Sequence, residues 1–177
     1  MANTYEAIAT VTVGSGGAAN IEFTSIPADF TDLLIKASLR SDRAAGNADN
    51  VRVRFNGSTA TVYSGRYIEG DGGVAASASQ SAETSLLPAY STVALNTSNT
   101  FANIEMYIPN YTSTANAKSV STDSVTENNG ALAYALLSAG LWNPATQAAI
   151  TSILIYPQVG TEWEQYSTAT LYGISSS

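Results

Sequence analysis

Asp32-Leu33-Leu34-Ile35-Lys36-Ala37-Ser38-Leu39-Arg40 is the stretch that decides the fold. Leu33, Ile35, Ala37 and Leu39 fall on one side of an extended chain, and Leu34, Lys36, Ser38 and Arg40 on the other. That period of two is what a strand with one buried face requires. The same period returns on both sides. Upstream, Tyr5 to Val13 interleaves Thr10 and Thr12 between Ala9, Val11 and Val13, and Gly14-Ser15-Gly16-Gly17 breaks it. Asn20 to Thr24 then sets Ile21 and Phe23 against Glu22 and Thr24, which predicts a hairpin with a loose loop. Ile26 to Phe30 reads as a turn or a short helical corner.

Downstream, Val51, Val53 and Phe55 alternate with Arg52 and Arg54, and Asn56-Gly57 closes the strand with a dipeptide suited to positive φ. From Ser58 to Gln80 the pattern weakens, and this region is expected to be a long excursion holding a Gly70-Asp71-Gly72-Gly73 turn. Structure is expected to resume around Leu86-Leu87-Pro88 and then at Phe101 to Pro109, where Ile104, Met106 and Ile108 alternate with Glu105 and Tyr107. Further strands are predicted at Lys118 to Thr126, Leu132 to Leu141, Ile150 to Tyr156 and Tyr166 to Ile174.

These segments predict an all-β fold of about eight to nine strands in one domain spanning 1–177. One apolar and one polar face per strand favours antiparallel pairing, and no helix-length pattern separates consecutive strands as βαβ units would require. The expected architecture is a two-sheet β-sandwich, jelly-roll-like by strand count and loop length. Composition agrees. Of 177 residues, 45% are hydrophobic and only 12% charged, enough apolar surface to offset the entropy of ordering the chain. Ser, Thr, Asn, Ala and Gly take the place of charge, a mixture that suits strands and turns better than long helices.

A net charge of −7 argues against nucleic acid as a partner, because phosphate contacts need a basic footprint. No apolar run approaches the ~20 residues that cross a bilayer, so no membrane partner is expected, and Met1 to Tyr5 leads into a strand pattern rather than a signal sequence. The chain contains no Cys and no His. It therefore lacks disulfides, thiolates and the commonest general base, and it is expected not to be an enzyme. Glu105, Asp123 and Glu127 are formal candidates for a paired-carboxylate glycosidase, yet they sit where strands expose a polar face. Glu69-Gly70-Asp71-Gly72-Gly73 offers oxygens but not the further spaced acids of the helix–loop–helix calcium site, so a plain turn is the simpler reading. No metal or cofactor is expected. Asn56-Gly57-Ser58, Asn96-Thr97-Ser98 and Asn110-Tyr111-Thr112 match the glycosylation sequon and read as surface turns.

Positive charge is unevenly placed: of seven Lys and Arg, Lys36, Arg40, Arg43, Arg52 and Arg54 lie between positions 36 and 54. If the two strands share a sheet, Lys36 and Arg40 with Arg52 and Arg54 form a basic stripe able to dock an acidic partner. The competing reading is that each cation pairs with an acid of this chain. Ten tyrosines are the second clue, with Tyr63, Tyr67, Tyr90 and Tyr111 in loops or at strand ends. Exposed rings of this kind serve interfaces and sugar platforms. Trp142, which follows an apolar run, is expected in the core, and Trp163, between Glu162 and Glu164, on the surface. Lys36, Arg40, Arg52, Arg54, Tyr63, Tyr67 and Trp163 are thus the candidate partner-contact residues.

Ala2-Asn3-Thr4-Tyr5-Glu6-Ala7-Ile8-Ala9, Phe23-Thr24-Ser25-Ile26-Pro27, Leu34 to Arg40, Val51 to Gly57, Ile108-Pro109-Asn110-Tyr111 and Leu171-Tyr172-Gly173-Ile174 together resemble a group of small tailed-bacteriophage virion proteins. These occur free-standing and as terminal modules of fibre-like proteins. Each stretch is a strand or turn signature, so the resemblance bears on fold and setting. It implies a jelly-roll-like module on the outside of the particle, made in the host cytoplasm. The sequence has no collagen-like repeat or heptad stem, which favours a head decoration (cement) protein bound to the major capsid protein. A homotrimer is expected by analogy with such proteins. The alternative is a tail-fibre or host-adhesion module whose exposed Tyr and Trp163 stack on surface glycans.

Overall fold

The structure, a computed structural model, describes residues 4–130 and 132–175. Ala2 and Asn3 of the opening motif lie outside them. The described residues form no helix and twelve strands: β1 (Tyr5–Thr12), β2 (Ile21–Phe23), β3 (Asp32–Ser41), β4 (Asp49–Phe55), β5 (Tyr63–Gly70), β6 (Ala75–Glu83), β7 (Leu86–Val93), β8 (Ala102–Ile108), β9 (Lys118–Val125), β10 (Ala135–Trp142), β11 (Ile153–Pro157) and β12 (Thr168–Ile174). The fold is all-β, as the alternating pattern predicts. It is organised as one mixed sheet of twelve strands, more than the eight or nine expected, and it does not close into a barrel.

Pairing explains how one sheet arises. One antiparallel run is β1-β12-β3-β8-β9-β10-β5-β6, and a second is β2-β11-β4-β7. The parallel contact that joins them is only two residues long, Arg40 with Thr92 and Ser41 with Val93. Strand β3 makes this possible by its length. Its residues 32–39 pair with β12 and β8, and its last two cross to β7.

Two of the additional strands come from the region expected to be an excursion. β5 and β6 form a hairpin across the Asp71-Gly72-Gly73 turn, where Asp71 Oδ1 accepts N–H bonds from Gly73 at 2.9 Å and Val74 at 2.7 Å. These bonds hold the Asp71 carboxyl below the usual carboxylate range. The hairpin lacks a legible period because β6, Ala-Ala-Ser-Ala-Ser-Gln-Ser-Ala-Glu, has small or polar residues on both sides and is exposed along most of its length. Pro88 is accommodated inside β7 because the β4–β7 register slips between Ala89 and Leu86, the kind of irregularity where a strand tolerates proline.

Inward side chains from both runs form a single hydrophobic cluster that includes Leu33, Ile35, Leu39, Val53, Phe55, Met106, Ile108, Trp142, Ile153, Trp163 and Leu171. Strand β7 lies across β9 and β10 without pairing to either. Ser138 Oγ donates to the Pro88 carbonyl at 2.7 Å, and the Tyr90 N–H reaches Ser124 Oγ at 3.4 Å. The packing is tight at Gly140, where a β-carbon would stand 2.8 Å from Leu86 and 2.9 Å from Val120. Overpacking a tight contact costs about 1–3 kcal/mol, so Gly140→Val is expected to lower the urea unfolding midpoint by that equivalent. An unchanged midpoint would show that β7 is free to lift away.

Candidate functional site

The basic stripe does not form. In the strand order, β7 stands between β3 and β4, so Lys36 and Arg40 are not beside Arg52 and Arg54. Each cation has its own partner. Lys36 is exposed and meets Glu105 at 2.8 Å, a bond that raises the lysine pKa. Arg40 is only 5% exposed and is bonded to Glu164 at 2.6 Å and to the carbonyls of Ala94, Thr97 and Thr100 at 3.0–3.1 Å. Arg52 donates to Gln158 at 2.9 Å and lies 3.6 Å from Glu83. Arg54 donates to the Thr84 carbonyl at 3.1 Å and rests over the Tyr156 ring.

The aromatic expectations divide. Trp142 is in the core, as expected, packed edge-on to Phe55 at 5.7 Å between centroids. Trp163 is also in the core, 0% exposed, with Nε1 donating to the Ile155 carbonyl at 3.1 Å; it offers no stacking surface. Tyr63 is buried beside Phe55 and Trp142, and its hydroxyl accepts the Phe55 N–H at 3.0 Å. Burial pushes that phenol up. Tyr111 is buried too, its hydroxyl donating to the Pro27 carbonyl. Tyr67 is half-buried in a chain of rings with Tyr90 and Tyr134, at 6.5 Å and 5.3 Å between successive centroids.

The longer antiparallel run places a different set of residues together. One row across its outward face reads Thr10, Thr170, Lys36, Glu105, Asp123, Leu137, Ile68 and Ser77 in register. The Thr10–Thr170 hydroxyl pair and the Lys36–Glu105 ion pair show that these side chains do meet. The row is polar from β1 to β9, apolar at Leu137 and Ile68 on β10 and β5, and ends on Ser77 of β6. The flanking row Val125, Ala135, Gly70 and Ala75 extends the apolar part, and the row on the other side, Ser121, Ala139, Arg66 and Ser79, rims it with polar groups.

This half of the face is built from small and aliphatic groups in open positions. Leu137 is 55% exposed, Ile68 60%, Val125 43% and, in the adjoining turn, Val74 68%. Two open grooves of about 690 and 700 Å³ cross it between the strands. Single scattered apolar residues on a surface are ordinary, but a contiguous patch rimmed by polar groups marks a contact surface. Arg66 and Asp123 are the charges among the residues of these rows between β9 and β6, and charge depletion at the centre is characteristic of interfaces. At its margin β6 ends the sheet with nine residues that pair on one side only, leaving backbone groups available to another strand.

The candidate carboxylates are placed differently. Glu105 and Asp123 are direct cross-strand partners on the outward face, with Glu105 held by Lys36. Glu127 is in a turn, accepting the Asn129 N–H at 2.8 Å. Among the described residues, no three His, Cys, Asp or Glu side chains gather closely enough to hold a metal ion. Asn56 of the first sequon uses its side-chain oxygen to accept the N–H groups of Thr151 and Ser152, at 2.8 and 3.1 Å.

No protein-family model matches this chain, and neither a curated protein nor a solved structure matches it.

Proposed function

We propose that this chain is a structural protein of a tailed-bacteriophage particle, a decoration protein on the outer head surface that binds and stabilises the shell of the major capsid protein. The observation that carries the reading is the apolar half of the outward face, with Leu137, Ile68, Val125 and Val74 open to solvent among alanines and serines. A surface of that kind lowers its free energy by being covered. The chain works by contact and without catalysis. It adds stability to the assembled shell by mass action, because binding to the assembled state alone shifts the equilibrium toward it.

Two further parts of the reading concern architecture and assembly. The two antiparallel runs act as the layers of a jelly-roll-like sandwich, a reading supported by β7 lying over β9 and β10 with Leu86 against Gly140. The chain assembles as a homotrimer, for which the one-sided pairing of β6 supplies a surface. Purified chain mixed with undecorated heads of its phage is expected to cosediment with them to a saturating, stoichiometric level and to raise their resistance to heat. No saturable binding would remove the proposal.

A further inference from the structure

At the β1 end of the same outward face, the structure holds a recess of about 380 Å³ lined by Tyr5, Leu34, Lys36, Glu105 and Tyr172. Its floor is Leu34, which faces outward from β3 yet is only 5% exposed. The register explains this: Tyr172 on β12 and Tyr107 on β8 are the direct partners of Leu34 on either side. Tyr5 stands at the free edge on β1, 57% exposed. The polar end is equally defined. Lys36 and Glu105 close it as a cross-strand ion pair at 2.8 Å. On the other side of Leu34, away from Lys36, Tyr107 donates its hydroxyl to Asp32 Oδ2 at 2.7 Å, which fixes the ring beside the floor.

We infer that this recess binds a neutral saccharide. Small-ligand sites are concavities of about 300–1,000 Å³ that combine apolar walls with a few fixed polar groups, and this one has the walls and groups that a pyranose uses. Tyrosine rings present flat apolar faces with little rotamer entropy to lose, which suits the C–H face of a sugar ring. Glu105 keeps a carboxylate oxygen beyond the one that meets Lys36, and the Lys36 ammonium keeps protons beyond the one it gives Glu105. Adjacent sugar hydroxyls can donate to the first and accept from the second. Charge selects against an anionic sugar, because the single cation Lys36 is already paired with Glu105, and Asp123 stands next in the row beyond Glu105. The site is independent of head binding: it lies on β1, β12, β3 and β8, whereas the apolar half lies on β9, β10, β5 and β6.

The test is a nuclear magnetic resonance titration of the full chain with the methyl glycosides of glucose, galactose, mannose and N-acetylglucosamine, and with sialic acid as the anionic comparison. At least one neutral glycoside is expected to give saturable shifts at Tyr5, Leu34, Lys36, Glu105 and Tyr172. Tyr172→Ala should weaken that binding at least about tenfold, as loss of a stacking ring predicts. Tyr5→Ala, at an exposed edge, provides the same reading if Tyr172→Ala disturbs the fold. Absence of saturable shifts with every neutral glycoside, shifts centred elsewhere, a response to sialic acid alone, or unchanged affinity in a folded ring variant would each overturn the assignment.

Discussion

Replacing Arg40 with alanine is expected to destabilise the fold by about 3 kcal/mol or more, read as a fall in the urea unfolding midpoint at unchanged slope. The reason is the number of groups that this one side chain satisfies. Its guanidinium reaches Glu164 on one side and the carbonyls of Ala94, Asn96, Thr97 and Thr100 on the other. It thereby ties the loop after β7 to the segment that leads into β12. Arg40 also occupies the point where β3 passes from β8 to β7, pairing with Thr92. Its backbone N–H and carbonyl are both bonded to Ser167 Oγ, at 3.1 and 3.2 Å.

Removing the guanidinium strands a carboxylate and several carbonyls at once, and orphaned polar groups cost more than the bonds they lose. Glu164 is partly open to water, which moderates the loss, so the expected value sits at the low end for a broken buried pair. Arg40→Lys is expected to recover little, since one ammonium cannot reproduce the planar fork that spans both sides. A loss below about 1 kcal/mol would mean that the loop is held by other contacts.

Much of this fold is legible in the sequence, and the places where reading fails have particular causes. β4, β8 and β9 are buried at every second residue because one of their faces meets the core, while β3 keeps the same inward set but is also covered at Leu34 and Arg40 on its other side. β6 could not be read that way, since neither of its faces is covered and nothing selects apolar residues at every second position. Trp163 misleads because its neighbours are both glutamates. In an extended segment adjacent side chains point to opposite sides, so acids on either side are what an inward ring requires. The bridges from Trp163 to Ala18 and Ser41 are the local geometry that turns it in. Arg40 misleads for a different reason. Alternation places it outward with Lys36, and only the loop of residues 94–100, distant in sequence, covers it.

The candidate surface was hidden for a related reason. Ile68 on β5 lies tens of residues before Val125 on β9 and Leu137 on β10, and only the register brings it beside them. A linear scan reads each as an ordinary exposed residue. The visible signals, clustered cations and loop tyrosines, belonged instead to side chains that the fold uses internally, such as Arg40, Tyr63 and Tyr111.

A second large effect is expected from charging that surface. The double variant Leu137→Arg, Ile68→Arg places two like charges at the centre of the apolar half, on direct cross-strand partners that cannot neutralise each other. Both positions are more than half exposed, and Asp123 stands directly across from position 137 on its other side, so folding should change by no more than about 1 kcal/mol. Binding is a different matter. Covering the face would strip water from two charges with no matching partner opposite, a loss on the scale of a binding hot spot, at least about 2 kcal/mol or about thirtyfold in affinity. The comparison that tests the account most directly is therefore cosedimentation of the native chain and this variant with undecorated heads, with matched unfolding curves. The account predicts saturable binding by the native chain and an affinity at least about thirtyfold weaker for an equally stable variant. Equal binding by both would contradict it, because the surface on which the reading stands would then play no part in assembly.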